Sequence, residues 1–287
     1  LKQAEDKPKK ILKKIETLEE KLKESEKDII SINDSDACFM KNKKGKWEFD
    51  YNGQIAVDDY KGIILASYIT NNPTDYYELI PLMEQVQSNL SEIYDETPVN
   101  YQVSADNGYS TDMNTEYLEQ NGFDGYISSR KLSREQKKYN LSDKPFAKDN
   151  FFYDNEMMTY IRPLGQPLYK ISEYTYKNKS RISHWTKECK TCPMQLFCSK
   201  GNRCRVIQDY GIPSKIRMQR KMETPEAKER YKIRSKTVER PFAHLKQNMH
   251  LTEFRTTGLQ EVNTELKLYT IGHNLKRIYN EISRKNN

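Results

Sequence analysis

The sequence predicts a mixed α/β fold, and three observations predict it. Short runs of apolar residues alternate with a period of two between Ser31 and Ser129. Two stretches lying among these runs carry their apolar residues at helical spacing instead. The order along the chain is three strands, a helix, a strand, a helix and a strand, which describes a sheet with helices on its faces. The composition permits this: 36% of residues are apolar and 31% charged, and 20 Tyr with 9 Phe supply core material. No apolar run approaches the roughly 18 residues of a membrane span. The opening LKQAEDKPKK also lacks the apolar stretch of a secretory signal.

Residues 1–30 read as a charged helix. Ile11, Leu12, Ile15, Leu18 and Leu22 recur at helical spacing, as in a coiled or docking segment. The strands follow as "INDSDACFM", "WEFDYNGQIAV" and "GIILASYIT", joined by Gly-Lys turns short enough to make neighbours antiparallel. "NNPTDYYELIPLMEQVQ" is a helix with Asp75 and Glu78 as its capping box. "VNYQVSADNGYS" is a strand ending in Asp-Asn-Gly. "TDMNTEYLEQNG" is a helix closed by Gly122, and "DGYISS" is the last strand. This is the strand order of a ribonuclease-H-like core.

The region 131–215 departs from the pattern. It reads as β-hairpins around "PLGQP" followed by a cysteine-rich run. Beyond Pro213 the chain is helical over roughly 222–236, 239–249 and 259–282. The last helix has Val262, Leu266, Tyr269, Leu275 and Ile278 available as an apolar face. Four regions result: a charged helical segment, 1–30; the first part of the ribonuclease-H-like core, 31–130; a β-rich insertion with a Cys cluster, 131–215; and C-terminal helices, 216–287.

Charge is unevenly spread. From Lys200 onward there are 20 Lys and Arg against 9 Asp and Glu, a net of +11 within a chain whose total is +7. Such a basic third suits a polyanion, nucleic acid above all; a solvated helical surface is the plainer reading. Within it, "YKIRSKTVERPFAHLK" keeps one acid, Glu239, among five Lys and Arg.

Three carboxylate positions call for an explanation. Asp106 ends a strand of alternating pattern, and such an acid needs either a metal ion or a hydrogen bond from a loop amide. Asp34 and Asp36, two apart in the first strand, share a face. The first and fourth strands of such a sheet are neighbours, which would set one of these acids beside Asp106. Carboxylates at close range repel, and Mg²⁺ relieves the conflict; surface acids in a loop are the alternative. Glu239 would be the third ligand. Lys246, seven residues on and on the same helical face, would hold phosphates with Arg234 and Arg240. The alternative is a Glu satisfied by ordinary ion pairs. Pro241 must start or kink a helix, placing Glu239 at a helix boundary.

Four stretches, "NDSDACFM", "YNGQIAVD", "SADNGYS" and "YKIRSKTVERPFAHLK", together with the tail "FRTTGLQEVNTELKLYTIGHNLKRI", resemble bacterial insertion-sequence transposases of the DDE superfamily. The likeness is to the insertion sequence 1182 group, with an insertion sequence 4-like DDE domain, and covers about residues 31–287. The resemblance implies a ribonuclease-H-like core that uses Mg²⁺ or Mn²⁺ for DNA cleavage and strand transfer, with two ions serving the attacking and leaving oxygens. By motif position the catalytic acids are Asp34, with Asp36 as the other choice, Asp106 and Glu239. Tyr231, Arg234, Arg240 and Lys246 form the DNA-binding pattern, while Asn52, Gln54 and Asp58 support the site. DNA ends and target, a homodimer on DNA and a bacterial cytoplasmic setting are also implied. Family members carry a longer N-terminal region that helps recognise element ends. Here a short charged helix precedes the core, so a truncated, catalytically silent DNA-binding remnant is the alternative expectation.

Cys189, Cys192, Cys198 and Cys204 form a tight set, and a Cys-x2-Cys pair suits tetrahedral Zn²⁺. Free thiols are the rival, since the second pair does not repeat that spacing. His184 is expected to pack or lie exposed rather than replace a Cys, and Cys38 to sit in the core. His244 and His273 are expected to pack. The aromatics Phe151, Phe152, Tyr153, Tyr160, Tyr169, Tyr174 and Tyr176 are expected as core, with base stacking as the alternative.

Overall fold

The computed structural model describes residues 2–24, 28–42, 45–94, 101–128, 145–154, 156–199 and 203–285. The expected region boundary at 130/131 lies outside them. The chain forms two compact units, residues 1–95 with 237–287, and residues 96–236. The mixed α/β class holds in both.

In the first unit, α1 (Lys2–Glu24) precedes β1 (Cys38–Lys41) and β2 (Trp47–Asp50), an antiparallel hairpin with Cys38 opposite Asp50. A second hairpin joins β3 (Asn52–Val57) to β4 (Ile64–Thr70), with Asn52 opposite Thr70. The expected meander of three strands is thus two hairpins, because "WEFDYNGQIAV" breaks at Tyr51 into β2 and β3. The β3–β4 turn is built by Asp58, whose carboxylate accepts the amides of Tyr60 and Lys61 at 3.1 and 2.8 Å. Gly62 completes the turn at φ +72°, a conformation open to residues without a Cβ.

Helix α2 (Leu79–Ser91) buries Leu79, Leu82, Met83 and Val86, the i, i+3, i+4, i+7 stripe, and packs Leu82 and Val86 with Ala66 of β4. The expected capping box is absent. Glu78 is the N-cap residue but makes no side-chain cap; its carboxylate accepts from Tyr68 at 2.6 Å and Asn72 at 3.1 Å. Asp75 accepts from Asn52 and Gln54 at 2.8 and 2.9 Å. Nearby side-chain donors outcompeted the helix amides for these acids, and they tie the β4–α2 connection to β3.

Helix α6, the last of the chain (Leu259–Lys285), packs Val262 and Leu266 against Ile64 and Ile69 of β4, with Leu245 and Leu251. The free edge of β4 is satisfied by helix side chains: Asn274 accepts from the Ile64 amide at 2.9 Å and donates to its carbonyl at 2.8 Å. Of the expected apolar face, Val262, Leu266 and Tyr269 face this core, whereas Leu275 and Ile278 are exposed. His273 and His244 pack as expected, with Nδ1 atoms 3.0 Å apart and His273 Nε2 2.9 Å from the Gly62 carbonyl.

In the second unit, β5 (Gln102–Ala105) pairs in parallel with β6 (Asp124–Ile127) across α3 (Asp112–Gln120). Thr111 caps α3 through Asn114, and Gly122 ends it at φ +71°. Helix α4 (Pro213–Lys221) closes on β6 so tightly that a Cβ on Gly125 would stand 2.5 Å from Met218. A five-stranded antiparallel sheet runs in the order β11-β10-β9-β8-β7, formed by β7 (Phe152–Asp154), β8 (Thr159–Ile161), β9 (Pro167–Tyr176), β10 (Lys179–Trp185) and β11 (Ile207–Gly211). The aromatics divide. Phe151, Tyr153 and Tyr160 are core with Leu168 and Ile207, while Phe152, Tyr169, Tyr174 and Tyr176 are exposed.

Helix α5 (Pro225–Ala243) is one element where two were expected. Pro241 lies inside it, and Glu239 is in its interior rather than at a boundary. The helix then widens into a π-turn, His244–Asn248, whose Leu245 is buried in the first unit's core. Wider winding changes the angular step per residue, so the seven-residue spacing from Glu239 to Lys246 is no longer two α-turns. No described helix is long and apolar enough to cross a membrane.

Candidate active site

Asp34 and Asp36 do not lie in a strand. They occupy the turn before β1, which the buried Ala37 anchors. The Asp34 amide donates to Ser31 Oγ at 3.2 Å, and the Asp36 amide donates to Asp34 Oδ1 at 3.2 Å, a local turn that brings the two carboxylates side by side. Tyr51 donates its phenol to both Asp34 oxygens at 2.9 Å. The Gly258 amide donates to Asp34 Oδ2 at 3.1 Å, and the Leu259 amide to Asp36 Oδ2 at 3.0 Å.

Both acids therefore sit at the N-terminus of α6, where unpaired amides and the helix dipole favour negative charge. These donors offset part of the repulsion between the two carboxylates. Gly258 makes the approach possible. It has φ +94°, a left-handed backbone conformation that residues with a Cβ rarely adopt. Burial, the bond to Asp34 and the charges of Asp34 and Asp36 all raise the Tyr51 phenol above its ordinary pKa, so it remains a donor.

The two acids differ in what they leave open. Both Asp34 oxygens are occupied by amides and phenol. Asp36 Oδ1 has Lys21 Nζ at 3.9 Å, and its side chain is 42% exposed. Lys21 is itself held by Ser35 Oγ at 2.9 Å.

Asp106 follows the end of β5, as its pattern predicts. Oδ1 accepts the Gly108 amide at 2.8 Å and caps a 3₁₀ turn, Asn107–Tyr109. Oδ2 lies 3.3 Å from Arg234 of α5, and the Asp106 side chain is 44% exposed. The loop amide that the sequence offered as one remedy is present, joined by a guanidinium. Glu239 and Arg240 are exposed on α5, and Lys246 is exposed on the π-turn. Tyr231, expected at DNA, is instead buried with Tyr126, Met222 and Ala227.

Asp34, Asp36 and Glu239 belong to the first unit and Asp106 to the second. Among the described residues, no group of three or more His, Cys, Asp or Glu side chains is arranged to hold a metal ion. The structure brings together Asp34 with Asp36, and Asp106 with Arg234.

Three of the four clustered cysteines line one cavity. Cys189 is buried on a 3₁₀ turn, Lys187–Thr191, and Cys198 ends the single helical turn Gln195–Cys198. Cys189, Cys192 and Cys198 line the cavity with Arg162 and Arg205. None of the five cysteines, including the half-buried Cys38 on β1, forms a disulfide. Burial raises the Cys204 thiol pKa, reinforced by a hydrogen bond with Cys189. Burial likewise raises Cys198, against the opposing charges of Arg205 and Arg162. His184 is fully buried and packs edge-on against Tyr160, as expected.

Sequence reasoning missed the partners of the acids. Tyr51 read as a strand residue. The amides of Gly258 and Leu259 were signalled only by a Gly placed just before a helical run. The buried network around Asp209 was also missed. That carboxylate accepts from Tyr160 at 2.6 Å, Lys148 at 3.2 Å and Arg220 at 3.1 Å.

No curated protein and no solved structure matches the chain. Residues 163–279, which include Arg234, Glu239, Arg240, Lys246 and the N-terminus of α6, match the family model of a transposase DDE domain. Over that stretch the chain is similar to DDE transposases, nucleic-acid-processing enzymes that use a divalent metal.

Proposed function

We propose that the protein is a DDE transposase that cleaves DNA and transfers strands at the ends of an insertion sequence of the 1182 group, from a ribonuclease-H-like core. The similarity of residues 163–279 to a transposase DDE domain carries this reading. Asp34 or Asp36, Asp106 and Glu239 are the acids that would hold Mg²⁺ or Mn²⁺. Their hard oxygen donors fit such ions, and the half-exposed side chains of Asp36 and Asp106 leave oxygen accessible. When bound, a pair of divalent ions supplies activation of the attacking hydroxyl and stabilisation of the leaving oxygen.

The chain's own residues do the rest. Tyr51 and the Gly258 amide fix the Asp34 carboxylate, and the Leu259 amide fixes Asp36. Arg234 balances the charge of Asp106. Arg240 and Lys246, both exposed, bind DNA phosphates. The test is cutting of a supplied element end in Mg²⁺. Asp106→Ala and Glu239→Gln are each expected to abolish it with the fold intact; unchanged cutting by either variant rejects the assignment.

A second reading is a catalytically silent DNA-binding remnant. It draws on Asp34, whose oxygens are both engaged by amides and phenol. It expects salt-dependent DNA binding with no metal-dependent cleavage at any Mg²⁺ or Mn²⁺ concentration.

Structural zinc on Cys189, Cys192, Cys198 and Cys204 is part of the proposal, and it requires these side chains to close from their present arrangement, which forms no metal-holding group. The Nε groups of Arg162 and Arg205 are buried without a hydrogen-bond partner at the same cavity, and such donors suit thiolates. Elemental analysis of the purified chain is expected to find about one zinc per chain; a zinc-free folded protein removes this part of the reading.

A further inference from the structure

Helix α6 is apolar on two sides. One side, with Val262, Leu266, Thr270 and His273, is buried within its unit. The other carries Leu268, Ile271, Leu275, Ile278 and Ile282, which are 48–65% exposed. These five are spaced by 3, 4, 3 and 4 residues, the a/d register of a heptad seam sustained over two heptads. Single exposed aliphatics are ordinary, but a continuous seam of five is the signature of a surface that another helix covers.

We propose that this seam is an interface between two copies of the chain, with their α6 helices packed antiparallel. Two observations select a second copy as the occupant. The first is area: the exposed parts of these five side chains amount to roughly 500 Å² per copy, and roughly 1,000 Å² for the pair is the lower bound for a stable association. A seam that is self-complementary in spacing also suits a two-fold interface, in which each copy presents the same patch.

The second observation is charge. Residues 259–267 carry Glu261 and Glu265 against Lys267. Residues 276–285 carry Lys276, Arg277, Arg284 and Lys285 against Glu281. Antiparallel packing sets the acidic start of each helix beside the basic end of its partner, and it opposes the two helix dipoles. Parallel packing would set basic end against basic end.

The inference does not depend on the catalytic reading, because it uses none of the proposed acids or their hydrogen-bond partners. A shorter seam on α1, made of Ile11, Ile15, Leu18 and Leu22, serves as the internal control; its last two residues are already half-buried.

Sedimentation of the full chain without DNA tests the proposal, independently of any cleavage assay. A dimer is expected at about 10 μM. Leu275→Glu combined with Ile278→Glu is expected to weaken association by at least about 100-fold, leaving a monomer with unchanged helical circular dichroism. Ile11→Glu with Ile15→Glu is expected to leave the dimer in place. Orientation is read from oxidative crosslinking in a background that controls for the native cysteines. Leu275→Cys, at the middle of the seam, is expected to crosslink between copies, and Ile282→Cys, near one end, is not. A wild-type monomer throughout the accessible range overturns the proposal. So does a dimer that survives the α6 substitutions or is lost through those in α1. Efficient crosslinking at position 282 overturns the antiparallel arrangement.

Discussion

Two groups of carboxylates are held by opposite means. Asp209, on β11, is 3% exposed and faces positive charge from Lys148 and Arg220, with the Tyr160 phenol completing its shell. Asp34 and Asp36 are partly exposed and are held mainly by neutral donors, two amides at the start of α6 and the Tyr51 phenol. The difference follows from burial. A carboxylate removed from water needs opposite charges to stay ionised, because the cost of desolvating it is several kcal/mol. One at the surface is held by dipoles, which orient it without cancelling its charge. The first arrangement builds a core; the second leaves negative charge available to a cation.

The largest break in this contrast is expected from Asp209→Asn. It leaves Arg220 and Lys148 facing an amide in a buried site and is expected to cost about 3–5 kcal/mol in denaturant unfolding. Its pH signature is equally specific. Burial alone would raise the Asp209 pKa, but Lys148, the Tyr160 bond and Arg220 outweigh it and hold the carboxyl below its usual range. A depressed folded pKa contributes stability that is complete above the unfolded value of about 3.9 and declines as pH falls from there through the folded value. The variant is therefore expected to lose less stability than wild type below about pH 4; parallel acid profiles would show that Asp209 is not the group responsible.

Tyr51→Phe is expected to be milder, about 1 kcal/mol, because Asp34 keeps its amide partners and remains partly solvated. Asp36→Asn is milder still, about 0.3–1 kcal/mol in thermal unfolding, since an amide oxygen still accepts from Leu259 and only the charge at the helix start is lost. A loss there as large as that for Asp209→Asn would erase the distinction between the two arrangements.

Much of this architecture was legible because it is written in local pattern. The α2 stripe, the Thr111 cap and the Gly122 stop of α3, and the position of Asp106 just beyond a strand are all set by residues a few positions apart. Pro241 misled because its cost within a helix is real, yet here the helix continues to Ala243 and then widens into a π-turn that buries Leu245. The acids at Asp75 and Glu78 misled for a related reason. Asn52, Gln54, Tyr68 and Asn72 reach them before the helix amides do, and three of those donors lie on strands.

The sequence by itself determined the mixed α/β class, most element positions and the basic C-terminal third, and it marked Asp34, Asp36, Asp106 and Glu239 as candidate acids, because periodicity, turn chemistry and charge are properties of neighbouring residues. Only the tertiary structure decided how those acids are satisfied. The donors to Asp34 come from Tyr51 and Gly258, positions 17 and 224 residues away in the chain. Which face of α6 is core and which is an exposed seam was likewise decided by β4, to which no local pattern in the helix refers. Hydrogen bonds and packing across such separations follow from the fold as a whole, and a helix with two apolar faces does not declare which one its own chain will cover.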